Sequence, residues 1–203
     1  MFLQMAGTGD VITRMERLPG VHYPVLVPNQ KGLDTLLNLL STSRSALSNS
    51  QPHTPPPTDE VAIFSAATDA FNQANTNTTV AASLERLTPV ARAALDAGLR
   101  VRGYVSVVIT CPYSGQVDYK KVREVAEALI GMGCYEVSLG DTVGTGTPTS
   151  VSEMLEEVKK GVPVEKLAVR DPYEIVASFD FNYVIIVGTC KYSMQHKLNE
   201  LGY

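Results

Sequence analysis

Residues that build disulfide frameworks or thiolate metal sites are scarce in this sequence. Its 203 residues include three cysteines, Cys111, Cys134 and Cys190, and no tryptophan. The cysteines form no CxxC pair and cannot make an even set of disulfides, so a cysteine-rich zinc site and a disulfide scaffold are both excluded. A reducing compartment is the simpler expectation. Cys111 and Cys134 are interpreted as small buried hydrophobic residues.

Long apolar runs and an excess of positive charge are also missing. No apolar stretch reaches the ~18 residues of a transmembrane helix. The first residues are few and uncharged, so a targeting peptide is not expected. The formal net charge of −4 gives no reason to expect nucleic acid or an anionic membrane as a partner. The three histidines, His22, His53 and His196, are scattered, and none is expected to bind a metal.

Apolar stretches and helical patterns alternate along the chain. Strands are predicted to begin near residues 24, 60, 101, 135 and 166. Helical spacing of apolar residues predicts helices over about 10–18, 32–40, 81–97, 118–131 and 150–160. Pro89 is expected to kink the helix over 81–97 or to restart it with Thr88 as cap, and Asp118 is expected to cap the helix after the third strand.

One α/β domain is predicted over residues 1–170. Five consecutive βα units favour a parallel sheet or barrel, and a complete (β/α)₈ barrel usually needs about 250 residues. An open doubly wound sheet remains an alternative on pattern alone. Residues 41–58, rich in Ser, Pro, Thr and Asn, are predicted to be a disordered insertion. Residues 171–203 are interpreted as a divergent C-terminal tail.

Polar residues of the third and fourth strands are the candidate functional residues. Ligands of parallel α/β folds bind at the carboxyl ends of strands, which is where Arg102, Tyr104, Ser138 and Asp141 are expected. A strand-end aspartate is often only a turn or cap residue, and Arg102 and Tyr104 could instead be packing residues of a barrel interior. The Gly-rich run at 140–146 lacks the P-loop lysine and a GxGxxG pattern, so nucleotide binding is not expected.

Four stretches carry a family likeness. They read Tyr-Pro-Val-Leu-Val-Pro-Asn at 23–29, Val-Arg-Gly-Tyr-Val-Ser at 101–106, Cys-Pro-Tyr at 111–113 and Gly-Cys-Tyr-Glu-Val-Ser-Leu-Gly-Asp-Thr at 133–142. Together they resemble the 3-hydroxy-3-methylglutaryl-coenzyme A lyase family, and the resemblance extends over about residues 4–40 and 59–169. The last stretch is specific for that lyase within the wider pyruvate-carboxyltransferase-like group of TIM barrels. For a chain of this length the resemblance implies a partial TIM barrel of about five to six parallel strands.

The resemblance implies cleavage of 3-hydroxy-3-methylglutaryl-CoA to acetyl-CoA and acetoacetate, a reaction of leucine catabolism and ketone-body formation. It implies Mg²⁺ or Mn²⁺ as cofactor, Asp141 as a catalytic residue, and Arg102, Tyr104, Ser138 and Thr142 as substrate-binding residues. The chemistry needs a base for the tertiary hydroxyl and a cationic group for the thioester enolate. The mitochondrial matrix is the implied compartment, with the cytoplasm or the peroxisome as alternatives.

The metal ligands of the family are not matched. The family holds its cation with an Asp on the first strand, a His-x-His pair on the sixth and a later Asn. No Arg-Asp-Gly motif of the first strand is found, and Arg170-Asp171-Pro172 stands where the histidine pair would fall. Because a guanidinium repels a cation and cannot ligate it, no metal-binding residue is assigned. The Gly-rich loop of the family's reactive cysteine is also missing, so Cys190 is not expected to take that role, and impaired catalysis is predicted.

A non-catalytic role is the alternative hypothesis. The chain would then be a fragment that binds an acyl-CoA thioester or associates with an intact lyase subunit. The unpaired strand edges of a partial barrel favour such association, or a homodimer.

Overall fold

The computed structural model describes residues 8–15, 18, 21–47 and 57–170. The predicted tail at 171–203 therefore lies outside the described residues. In chain order the elements are α1 (Thr8–Arg14), β1 (Val25–Leu26), α2 (Gln30–Leu47), β2 (Glu60–Ala66), α3 (Asp69–Thr76), α4 (Val80–Asp96), β3 (Arg100–Ser106), β4 (Thr110–Cys111), β5 (Gly115–Gln116), α5 (Tyr119–Gly131), β6 (Glu136–Gly140), α6 (Pro148–Val158), a 3₁₀ turn (Val164–Lys166) and β7 (Leu167–Arg170). No helix of this part of the chain is long and apolar enough to cross a membrane.

The main sheet has five parallel strands in the order β1-β2-β3-β6-β7. Spatial order follows chain order throughout, as it does in a barrel. A doubly wound sheet would reverse its strand order at a switch point. The described strands therefore exclude the doubly wound alternative, and the predicted series of parallel strands is confirmed.

The two faces of the sheet differ in chemistry. Along β3 the residues alternate between buried Val101, Gly103 and Val105 and half-buried polar residues. A Cβ added to Gly103 would lie 3.2 Å from the side chain of Leu129 in α5, so the buried set faces the helices. The opposite face, called the open face below, carries the residues that share its register: Ala62, Phe64, Arg102, Tyr104, Glu136, Ser138 and Ala168.

The hydrophobic core lies between the sheet and its helices. Its largest fully buried members come from both layers: Ile12, Leu33, Ile63, Leu129, Leu139 and Met154. The large apolar side chains of β2, β3 and β6 other than Phe64 thus lie on the helix side, whereas the open face carries small, polar and charged residues.

Two predictions about the helices are resolved. The Asp118 carboxylate accepts a hydrogen bond from the Lys120 amide (3.0 Å), which confirms it as the cap of α5. The predicted restart at Pro89 is wrong, because α4 is one helix with Thr79 as its N-cap. The Thr88 hydroxyl instead donates to the carbonyl of Leu84 (2.9 Å) within the helix.

The predicted insertion at 41–58 is too long at both ends. Helix α2 continues through Leu47, and the hydroxyls of Ser41 and Thr42 donate back to the carbonyl of Asn38 (2.8 and 2.9 Å), which makes these residues compatible with a helix. At the other end, Thr58 is 3% exposed and bonded into the sheet. Residues 48–56 lie outside the described part.

Candidate active site

The predicted site residues lie at different levels of the sheet. Arg102 is the third of seven residues in β3, so its expected position at the strand's carboxyl end is wrong. Tyr104 and Ser138 are register partners in the middle of β3 and β6. Only Asp141 and Thr142 directly follow a strand. The open face thus brings three of the predicted residues together, and the loop after β6 holds the other two.

Arg102 forms an ion pair with Glu136, its register partner on β6. Both side chains are mostly buried, at 14% and 26% exposed. The guanidinium carbon also lies 5.7 Å from the centre of the Tyr104 ring. Burial alone would lower the pKa of Arg102, but the nearby charges of Tyr104 and Glu136 outweigh it and raise that pKa. Arg102 is therefore a fixed cation within the open face.

A second charged cluster lies at the amino end of the same face. The Glu60 side chain is 2% exposed, and its carboxylate accepts a hydrogen bond from the Tyr135 hydroxyl (2.8 Å) and lies 3.6 Å from Arg100. The Arg100 guanidinium lies 4.1 Å from the centre of the Tyr135 ring. Burial, together with the hydrogen bond to Glu60, raises the pKa of Tyr135. Two arginine–carboxylate pairs thus occupy the amino half of the open face.

Asp141 accepts hydrogen bonds from backbone amides of the loop that follows β6. It is 5% exposed; its Oδ1 accepts from the Gly144 amide (3.1 Å) and its Oδ2 from the Gly146 amide (2.6 Å). The turn role considered for this aspartate is therefore present. The same contacts use amide groups that a phosphate-binding loop would direct outward. Each carboxylate oxygen keeps a further lone pair, and a catalytic role for Asp141 stays a prediction.

Thr142 contacts the end of β3. Its hydroxyl oxygen accepts a hydrogen bond from the Val107 amide (2.9 Å) and lies 3.5 Å from the Gly140 carbonyl. Val107 has φ = 55°, in the left-handed region. The predicted substrate contact of Thr142 stays a prediction beside this observed backbone contact.

Cys111 and Cys134 are both buried, as expected, but their surroundings differ. The Thr68 hydroxyl donates to the Cys111 sulfur (3.2 Å). Burial would raise the pKa of Cys111, yet hydrogen bonds from Ser114, Thr68 and neighbouring backbone groups outweigh it and lower that pKa. Burial raises the pKa of Cys134 to about 12. Cys111 is thus a polar contact as well as a packing residue.

The donors of the described residues do not fit a divalent cation. No group of three or more His, Cys, Asp or Glu side chains there could hold a metal ion. Glu60 and Glu136 are engaged by arginines, and Asp141 by backbone amides. At the end of β7, position 170 is an arginine, in register with Gly140.

Several contact residues were not identified from the sequence. Glu136 stands two residues before Ser138, as Arg102 stands two before Tyr104, so a register argument within the family motif could have paired Glu136 with Arg102. No local signal links Thr68 to Cys111 or Val107 to Thr142, since each pair is far apart in the sequence.

The fold and site define a class of protein. A parallel sheet wound in chain order, with helices on one face and polar residues on the other, corresponds to a section of a (β/α)₈ barrel whose open face is the barrel interior. The chain is an α/β partial TIM barrel.

Comparisons with known proteins identify the family. Residues 45–170 match the model of the HMGL-like family. The chain is 43% identical to the mitochondrial hydroxymethylglutaryl-CoA lyase of Bos taurus, over 82% of this chain and 46% of that protein. It is 44% identical to the 3-hydroxy-3-isohexenylglutaryl-CoA/hydroxy-methylglutaryl-CoA lyase of Pseudomonas aeruginosa, over 81% of this chain and 49% of that one. The chain belongs to the HMGL-like family.

A solved structure supports the same conclusion. The crystal structure of hydroxymethylglutaryl-CoA lyase from Pseudomonas aeruginosa matches with a TM-score of 0.71 and 42% identity, over 82% of this chain and 50% of that chain. The resemblance and the partial barrel predicted from the sequence are both confirmed. The chain spans about half the length of the curated relatives it matches.

Proposed function

We propose that this chain forms part of a hydroxymethylglutaryl-CoA lyase, a carbon–carbon lyase that acts on an acyl-CoA thioester. One observation carries the proposal. The stretch at 133–142, which marks the resemblance, forms β6 and the start of its loop beside Arg102 and Tyr104 of β3, in a chain 43% identical to the bovine lyase. Motif and geometry therefore meet at one place in the sheet.

The proposed chemistry begins at the tertiary hydroxyl of 3-hydroxy-3-methylglutaryl-CoA. Asp141, held at the end of β6 by two amide donors, accepts the hydroxyl proton. The carbon–carbon bond then breaks as the carbonyl of acetoacetate forms, and its electron pair passes to the enolate of acetyl-CoA, which takes up a proton. Arg102 supplies a fixed positive charge on the open face, where the thioester lies against Tyr104 and Ser138, and Thr142 contacts it from the loop after β6.

Metal dependence is a property of the family, and the resemblance points to Mg²⁺ or Mn²⁺. In a complete enzyme the cation would stabilise the enolate. The donors available on the described strands do not form such a site. Cation binding is therefore expected to be weak in this chain.

A second function is favoured by this mismatch. The chain would bind an acyl-CoA thioester without cleaving it, or associate with an intact lyase subunit. Arg170, at the position of the family's first histidine, is the specific observation in its favour. For the compartment, the matrix of the mitochondrion is the proposal that follows the bovine relative, whereas the Pseudomonas relative is bacterial.

Calorimetric titration distinguishes the two functions. Acetyl-CoA and Mn²⁺ are titrated separately into the full chain, and acetoacetate is assayed with 3-hydroxy-3-methylglutaryl-CoA. Micromolar Mn²⁺ binding with acetoacetate release supports the lyase, and thioester binding alone supports the binding fragment. No thioester binding contradicts both of these and leaves association with an intact lyase subunit. Arg102→Met should weaken thioester binding, and Arg86→Met, on the exposed face of α4, should not.

A further inference from the structure

Val107 adopts a backbone conformation that its side chain disfavours. It follows β3 directly, is fully buried and has φ = 55°. A β-branched residue at positive φ is an outlier, because its side chain crowds the backbone there. Such a conformation persists only where neighbouring contacts enforce it, and strained residues of this kind cluster at functional sites.

Contacts across two loops enforce this conformation. The ladder between β3 and β6 ends at Val105 and Leu139. Beyond it, side-chain hydroxyls join the β3–α5 loop (residues 107–118) to the β6–α6 loop (residues 141–147), and one backbone bond joins the β3–α5 loop to the end of β6. These are Val107 amide to Thr142 Oγ1 at 2.9 Å, Val108 amide to Gly140 carbonyl at 3.2 Å, and Thr145 Oγ1 to Thr110 Oγ1 at 2.7 Å.

Thr142 is the contact that acts on the strained residue itself. Its hydroxyl oxygen accepts a hydrogen bond from the Val107 amide, which lies beyond the last pair of the β3–β6 ladder. The hydrogen bond between Thr110 and Thr145, by contrast, is exposed to solvent. An exposed hydroxyl pair competes with water and holds loops weakly. The part-buried bond of Thr142 is therefore the main connection between the two loops.

We propose that Thr142 is a positioning residue. Its hydroxyl holds Val107 in the left-handed conformation and thereby fixes the β3–α5 loop, with Cys111 and the exposed Tyr113, against the β6–α6 loop that carries Asp141. The two loops then form one rigid wall at the carboxyl edge of the sheet. The link from this wall to thioester binding rests on the proposed function, whereas the coupling of the loops does not.

Thiol labelling in the full chain tests the coupling without any need for activity. Cys111, in the β3–α5 loop, is 1% exposed, and Cys134, outside both loops, is 2% exposed. N-ethylmaleimide labelling is followed at each cysteine by peptide mass spectrometry. Thr142→Val, which keeps the shape and removes the acceptor, should label Cys111 about tenfold faster. Thr142→Ser, which keeps the acceptor, should label it at the native rate, and Cys134 should be unaffected in both.

A double-mutant cycle tests the role of strain. Glycine adopts positive φ without crowding, so Val107→Gly no longer needs the Thr142 bond to hold this conformation. In the Val107→Gly background, Thr142→Val should accelerate Cys111 labelling by less than about threefold. An undiminished tenfold effect there would overturn the assignment of strain.

Other outcomes also decide the proposal. Equal acceleration of labelling at Cys111 and Cys134 would indicate global destabilisation. An unchanged labelling rate at Cys111 would show that Thr142 does not hold the β3–α5 loop. Either result overturns the proposal. Acetyl-CoA titration checks the link to the site: Thr142→Val should weaken binding and Thr142→Ser should preserve it. Equal affinity in Thr142→Val and the native chain would overturn that link, and no binding to the native chain would refute the proposed function while the labelling result stands.

Discussion

At the residue scale, the pair of Arg102 and Glu136 tests how the open face tolerates charge. Glu136→Gln removes the carboxylate that compensates the mostly buried guanidinium of Arg102. The Nε of this guanidinium already has no partner among the described residues. We expect a loss of about 1–3 kcal/mol in the free energy of unfolding, measured with urea. Glu124→Gln, in the exposed pair with Lys121, should change it by less than about 0.5 kcal/mol. Equal effects of the two variants would contradict a structural role for the buried pair.

The raised pKa of Cys134 predicts that the folded chain becomes less stable at alkaline pH. Its folded pKa is raised from 9.0 to about 12, so between about pH 9 and 12 the unfolded chain releases the thiol proton and the folded chain keeps it. The free energy of unfolding should therefore fall as pH rises, by at most about 1.4 kcal/mol per pH unit from this group. Urea titrations from pH 8 to 10.5 should show a flatter decline in Cys134→Ala than in the native chain.

Cys111→Ala is the matched control for that experiment. The pKa of Cys111 is lowered, so its thiolate stabilises the folded chain as pH rises. Removing it should leave the decline as steep as before or steeper. A flatter decline in Cys111→Ala would show that the two thiols were assigned the wrong signs.

Individual site residues were predictable where the reason is local. Asp141 and Thr142 follow a strand that the apolar run before them indicates, so their position was predicted. Arg102 was placed at the wrong end of its strand, because the sequence does not show where β3 stops and the loop begins. The conformation of Val107 could not be predicted, because intrinsic preference opposes it and Thr142, far along the chain, enforces it.

At the element scale, the approach of α5 to the sheet depends on a glycine. A Cβ at Gly103 would lie 3.2 Å from atoms of both Leu129 and Val137, with the helix on one side and β6 on the other. Gly103→Ala should therefore cost about 1–3 kcal/mol of stability by overpacking. Gly131→Ala, at the last residue of α5 with nothing within 4 Å, should stabilise the chain by up to about 1 kcal/mol. Thermal unfolding of both variants checks the prediction, and a neutral Gly103→Ala would contradict the close packing.

The elements that were missed depend on tertiary contacts. Helix α3 is short and polar, and its buried Asn72 donates to the Ser65 hydroxyl and accepts the Ala66 amide of β2. Its stability thus comes from contacts with β2, which the sequence of the helix itself does not reveal. The hairpin of β4 and β5 has two residues in each strand, too few for an alternating pattern. Helix α5 was predicted because its apolar stripe and its Asp118 cap are both local.

At the scale of the whole molecule, the order of the strands in the sheet could be predicted from their order in the chain and from the family resemblance, but the number of strands could not. The chain spans about half the length of its relatives, and among the described strands β1 pairs only with β2 and β7 only with β6. Strand edges with unpaired backbone groups favour association. The half-buried Phe64 and Tyr104 add apolar area on the open face.

Self-association is therefore expected of the isolated chain. Sedimentation at several concentrations should show a dimer or larger species in equilibrium with monomer. Phe64→Lys places a charge on the open face and should weaken association if that face is buried between copies, whereas Ala97→Lys, at the exposed end of α4, adds the same charge and should not. A monomer at every concentration would contradict the expectation. Association that both variants leave intact would assign it to the strand edges, because backbone pairing there does not depend on the open face.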